Sequence, residues 1–201
     1  MTSIGSITNS ILIWQKHGDR VLNSTGDCDY GLAMICYARA RARRKVKDVA
    51  NMLIAHSLAQ SRAYPPEEKL SGQLRSLIKD PKKTLSSVAE TDGEAARILQ
   101  FYASGYATLR RYYEIRDGTA TEKDGRPLKL KPLAKKRAAA DALVAVIRSS
   151  ADCIYGGLYD NERDSAVLVD ALLALLGEAL VFVDGMFVFF FFLENQGGVI
   201  S

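Results

Sequence analysis

Apolar residues in this chain recur at steps of three and four, block after block. That spacing is the repeat of an α-helix with one buried face; alternate spacing, which would mark a half-buried strand, persists nowhere for more than a few residues. Ile4, Ile7, Ile11 and Trp14 form a first short stripe ending near Gly18. Thr25-Gly-Asp-Cys-Asp29 offers capping oxygens for a long second helix, with Leu32, Ile35, Ala42, Val46, Val49 and Leu53 close to heptad spacing. Pro65-Pro66 stops it, because proline disfavours a helical residue before it. Pro66, Glu67 and Glu68 open a third helix with Leu70, Leu74, Leu77 and Ile78 on its buried face, and Asp80-Pro81 ends it.

Thr91-Asp-Gly-Glu94 reads as a capping box, with the threonine as cap, before a helix carrying Ile98, Tyr102, Tyr106, Leu109 and Tyr113. Asp117 to Lys131, with two Asp-Gly pairs and Pro127, is a loop. A further helix starts at about Pro132, carries Leu143, Val144, Ile147 and Ile154, and closes at Gly156-Gly157; Asp160 or Asn161 caps a last one. The prediction is an all-α helical bundle of about six helices with no sheet, one domain over residues 1–184.

The C-terminal part decides whether a membrane is involved. From Ala166 to Ser201 there is no lysine or arginine, and Ala179–Leu193 reads ALVFVDGMFVFFFFL. A membrane helix needs about 20 predominantly apolar residues. Here Asp170, Glu178 and Asp184 interrupt the run and no basic residue flanks it, which argues against an anchor. Asp170, Gly177 and Asp184 fall at steps of seven, with Glu178 beside Gly177, as one narrow polar seam on an otherwise apolar helix, so Ala166–Val183 is expected to be the central core helix. Composition then changes abruptly at Gly185. If the glycine codon is GGT, Gly-Met-Phe encodes GTATGT, a splice-donor pattern. Residues 185–201 are therefore expected to be translated intron outside the native fold, the natural protein continuing elsewhere. An apolar face left uncovered by missing helices would favour self-association.

Charge is distributed unevenly. The chain carries +4 overall, but all 27 lysines and arginines lie before Asp164 and five acids lie from there onward, so the first 163 residues carry +9. Such a body calls for an anionic partner or for neutralisation within the fold. Three cysteines without a CxxC motif argue against a disulfide framework and for a reducing, intracellular compartment. The first residues lack the basic stretch and apolar run of a signal peptide.

Signatures of catalysis are missing. His17 and His56 lie far apart, with no cysteine or second histidine at ligand spacing. Asp27 and Asp29 begin like a calcium loop, but Gly31 and Ala38 stand where ligands are required, and the aspartates read as helix caps. There is no glycine-rich phosphate loop, nucleophile elbow or HExxH, and neither catalytic residues nor cofactors are predicted. The segment from Ile54 to Ala63, with His56, Leu58 and Ser61, resembles the phosphoacceptor helix of histidine phosphotransfer domains. It departs from that pattern at Ala59 and Gln60, where the family carries lysine and glycine. The resemblance implies a helical bundle with His56 as phosphoacceptor.

Two basic clusters are the candidate contacts for phosphate or nucleic acid. Arg39, Arg41, Arg43, Arg44, Lys45 and Lys47 spread around most of a helix's circumference. Lys129, Lys131, Lys135, Lys136 and Arg137 lie at a loop-to-helix junction and resemble a nuclear localisation signal. Lysines in a first helical turn oppose the helix dipole, so that helix is alternatively expected to start near Ala138. The aromatic helix FYASGYATLRRYYEIR is expected to use its tyrosines as core, with base stacking beside Arg110 and Arg111 as the alternative. Together these features predict a non-catalytic α-helical interaction module with a protein partner, a subunit or N-terminal domain of a larger nuclear assembly. A nucleic-acid-binding basic domain and a phosphotransfer protein using His56 are the alternatives.

Overall fold

The chain's structure, a computed structural model, describes residues 4–24, 28–122 and 126–150, with Leu173 and Gly177 as isolated helical positions. Seven α-helices run through these residues: α1 (Ile4–Leu22), α2 (Tyr30–Arg39), α3 (Arg43–Ala59), α4 (Gly72–Lys79), α5 (Pro81–Thr91), α6 (Gly93–Asp117) and α7 (Pro132–Ser150), with a 3₁₀ turn at Glu67–Lys69. No strand occurs among the described residues beyond an isolated bridge between Thr121 and Pro127. The fold is all-α, as the periodicity predicts.

Helix α6 is the axis. It packs against α2, α3, α4, α5 and α7, and it buries Ile98, Leu99, Tyr106, Leu109, Tyr112 and Tyr113. Helix α2 is enclosed from Ala33 to Ala38, which its run of apolar residues allows and an amphipathic surface helix would not. Helix α7 adds Leu143 and Val146 to the same core, while Ile115, Ala120 and Ala139 form a small second cluster under the loop.

The predicted second helix is two. Heptad spacing runs unbroken through Ala42, yet the chain turns at Arg41, whose φ is 58°. The Arg41 N–H donates to the Ala38 carbonyl and the Ala42 N–H to the Tyr37 carbonyl. That is the Schellman pattern, with arginine where glycine is usual. A left-handed non-glycine residue costs about 1–2 kcal/mol, of which the water-screened ion pairs of the Arg41 guanidinium recover only part. Helix α3 ends in the same way at Ser61, φ 45°, and α6 at Gly118, φ 77°.

Other boundaries differ from the expectation. Helix α1 continues through Gly18, which is a packing residue: a β-carbon there would meet the Tyr37 ring at 2.7 Å. Glu67 and Glu68 form only the 3₁₀ turn, and Ser71 caps α4 instead. Pro81 opens α5 at its first position, a helix absent from the sequence prediction. The cap of α6 is Asp92, whose Oδ1 accepts from the Ala95 N–H at 3.0 Å; Thr91 belongs to α5 and its hydroxyl donates to the Val88 carbonyl. Helix α7 begins at Pro132, not near Ala138. The predicted helix closure at Gly156-Gly157 and residues 185–201 lie outside the described residues. So does the predicted core helix Ala166–Val183 apart from two positions, of which Leu173 is 58% exposed.

Gly31 positions α4. A β-carbon on it would lie 2.2 Å from the Leu74 backbone nitrogen, so α2 and α4 touch backbone to backbone. At this contact Asp29 Oδ1 accepts from the Leu32 N–H at 2.9 Å and from the Ser71 hydroxyl at 2.5 Å, while Ser71 Oγ accepts from the Leu74 N–H. One carboxylate thus serves the positive ends of two helices.

Candidate interaction surfaces

Most of the first basic cluster faces partners inside the fold. Because Arg41 sits on the left-handed turn, its side chain reaches the start of α6, where Nη1 lies 2.8 Å from Asp92 Oδ2 and Nε 3.1 Å from Glu94 Oε2. Arg43 reaches Glu94 at 3.3 Å. Lys45 lies 2.6 Å from Asp19 Oδ1, which also accepts from the Tyr37 hydroxyl at 2.8 Å. Arg39 stacks over the Trp14 ring at 4.8 Å, Lys47 is half-buried, and Arg44 is exposed with no ion pair among the described residues. These cations join α2 and α3 to α1 and α6, so neutralisation within the fold accounts for much of the cluster.

The carboxyl groups respond accordingly. Hydrogen bonds from Lys45 and then Tyr37 hold Asp19 below its usual value. For Asp92, burial works upward, and the Arg41 guanidinium with the Ala95 N–H overcomes it and lowers the carboxyl. Tyr37 is pushed upward by burial and by its bond to Asp19.

The second cluster is less engaged. Lys129, Lys131, Lys136 and Arg137 are exposed, and Lys129, Lys131 and Arg137 make no ion pair among the described residues. Lys135 bends back over the turn at Gly118, where a β-carbon would come within 2.9 Å of its nitrogen. Its charge therefore lies at the negative end of α6, a favourable place that offsets its position in the first turn of α7.

The tyrosines of α6 are core residues. Tyr106, Tyr112 and Tyr113 are buried, and Tyr102 is half-buried. Tyr106 donates to the Tyr64 carbonyl at 2.6 Å, and burial raises its phenol to about 12. Arg110, one turn further along and 1% exposed, is the central buried charge. Its Nε donates to Glu114 Oε1 at 2.7 Å, its Nη1 to the Pro65 carbonyl at 2.6 Å, and its Nη2 to Glu67 Oε2 at 3.2 Å. The guanidinium fastens the turn after α3 onto α6. In the sequence Arg110 enters only with Arg111 in the base-stacking alternative; its i,i+4 relation to Glu114 is the signal that marks it as a buried pair.

His56 is exposed in the last turn of α3, its ring 4.7 Å from that of Tyr64 at a tilt of 32°. No group of three or more metal-ligating side chains occurs among the described residues, and no described helix is long and apolar enough to cross a membrane. Exposed apolar side chains occur at Leu12 and Ile13 on α1 and at Leu133 and Val144 on α7.

One cavity of about 620 Å³ lies between α4, α6 and the loop after it. Ile78, Ala107 and Leu128 give it apolar walls, and Arg111, Glu114 and Glu122 border it. Lys79, also lining it, is held by Glu67 Oε1 and Thr121 Oγ1, each at 2.7 Å. Against opposing burial, Lys79 and Arg110 together lower the Glu67 carboxyl.

A helical bundle with internally paired charges and a side cavity defines a class of scaffold, not a chemistry. Comparison with known proteins narrows it. Over 154 residues, 77% of this chain, the sequence is 48% identical to Nucleoporin NUP85 of Chaetomium thermophilum. The chain spans only 13% of the length of that protein. No family model matches the chain, and no solved structure matches it.

Proposed function

We propose that this chain is a non-catalytic α-helical interaction segment of a nuclear pore protein, working through protein partners at the nuclear envelope. The observation that carries the reading is the 48% identity to a nucleoporin over 77% of the chain. The fold supports it: charged side chains with polar partners tie helices and turns to one another. The test is location. A fluorescent fusion of the chain, expressed in a fungal cell, is expected to concentrate at the nuclear rim. Even distribution through cytoplasm and nucleoplasm would reject the reading.

Nucleic-acid binding through Lys129, Lys131, Lys135, Lys136 and Arg137 is the second reading, favoured by the exposure of most of these cations. It predicts retention on heparin or DNA that falls steeply with salt, as counterion release requires. Negligible retention at low salt would reject it.

A further inference from the structure

The cavity beside α6 combines two properties. Its interior polar groups already have partners: Lys79 is bonded to Glu67 and Thr121, and Glu114 to Arg110. Its apolar walls, Ile78, Ala107 and Leu128, face open space of about 620 Å³, within the range of sites that bury small ligands and with room for a large anchoring side chain. Nothing inside asks for a polar ligand, and filling the space with an apolar group removes those walls from water.

Charge around the opening selects what can bring such a group. Arg111 on the rim is exposed and makes no ion pair among the described residues, and Lys129 and Lys131 follow Leu128 along the chain in the same condition. Glu122 is the opposing rim acid. We infer that this cavity receives one aliphatic or aromatic side chain from an acidic segment of a partner protein, with Arg111, Lys129 and Lys131 facing the segment's carboxylates. The inference rests on reading the chain as an interaction segment and names the surface and the chemistry of its partner. A protein segment suits the place better than a nucleic-acid strand, because the walls Ile78, Ala107 and Leu128 are apolar and a protein side chain can fill them while a phosphate cannot.

Fluorescence anisotropy on the full chain tests it, with labelled 15-residue peptides of alternating glutamate and serine carrying leucine or phenylalanine at the centre. Controls carry serine at the centre or lysine in place of glutamate, and a 20-nucleotide oligo(dT) stands for nucleic acid. The anchored acidic peptides are expected to bind roughly ten- to a hundredfold tighter than the serine control, the range that burying one such side chain supports. Ala107→Leu, which pushes one apolar wall into the cavity and narrows it, should weaken that preference. Arg111→Glu and Lys131→Glu, both at exposed positions, should weaken every acidic peptide. Circular dichroism of each variant separates loss of the site from loss of the fold. Equal binding of anchored and serine peptides, no binding of any acidic peptide, or tighter binding of oligo(dT) than of the anchored peptides would each overturn the inference. The assay is independent of cell location, so anchored binding without rim localisation would reject the proposed function while leaving the cavity assignment standing.

Discussion

Replacing Arg110 by methionine removes the charge at the centre of the bundle while keeping much of the side chain's volume. The guanidinium is 1% exposed and Glu114 6%, so the substitution leaves a buried carboxylate without its cation and the Pro65 carbonyl without its donor. Breaking a buried pair from one side costs about 3–5 kcal/mol, mostly as the penalty of the stranded charge. The Glu67 contact adds little, because that carboxylate is 38% exposed and screened by water. For a chain of 201 residues, at about 2–4 °C per kcal/mol, the melting temperature should fall by about 6–20 °C. Thermal and urea unfolding followed by circular dichroism measure it. The pair Arg110→Met with Glu114→Leu removes the stranded charge and should recover most of the loss, a coupling that a double-mutant cycle reads directly. If Arg110→Met costs less than about 1 kcal/mol, or the double variant is no more stable than the single one, the buried network is not what fixes the turn after α3 to α6.

Further outcomes follow from the same geometry. Asp19, Asp92 and Glu67 have lowered folded values, so the stability they contribute is complete above their unfolded values of 3.8, 3.8 and 4.5 and is lost as pH falls below them; urea midpoints should therefore hold down to about pH 5 and drop below pH 4.5. Tyr106 has a raised folded value, so the folded state holds its proton more tightly; stability should stay level up to pH 10 and decline towards about 12, where absorbance would report phenolate appearing together with unfolding. Gly31→Ala forces a β-carbon against the Leu74 backbone and should destabilise by about 1–3 kcal/mol. Gly72→Ala, with nothing within 4 Å of the new β-carbon, should be neutral or stabilise by up to about 1 kcal/mol, and equal effects at the two glycines would contradict the close approach of α2 and α4.

The sequence displayed the helices better than the joints between them. Stripes such as Leu74 and Leu77 or Ile98, Tyr106 and Leu109 are set by burial against neighbours, and burial is what periodicity reports. Left-handed turns depend instead on tertiary contacts. Gly118 is visible because glycine adopts that turn without strain, but Arg41 and Ser61 adopt it through side-chain and backbone bonds made to residues 51 to 55 positions away. Gly18 misled for the converse reason: its missing β-carbon makes room for Tyr37 rather than ending a helix. The clusters were legible as charge, yet whether Arg41 and Lys45 face solvent or Asp92 and Asp19 is decided by how α1 and α6 pack, which spacing along one helix does not encode. The cavity beside α6 draws its walls from three separate segments and leaves no local mark in the chain.

The shared cap at Asp29 has a consequence for how the molecule breathes. Its carboxylate holds the first turn of α2 directly and that of α4 through Ser71, so fraying of either helix start strips a hydrogen bond from the other. Two segments 42 residues apart should then exchange their amide protons with a common opening free energy, as one cooperative unit rather than as two independent ends. In Asp29→Ala, the protection of Leu32 and Leu74 should fall together, and hydrogen exchange resolved by residue would make that linkage visible while α6 keeps its protection.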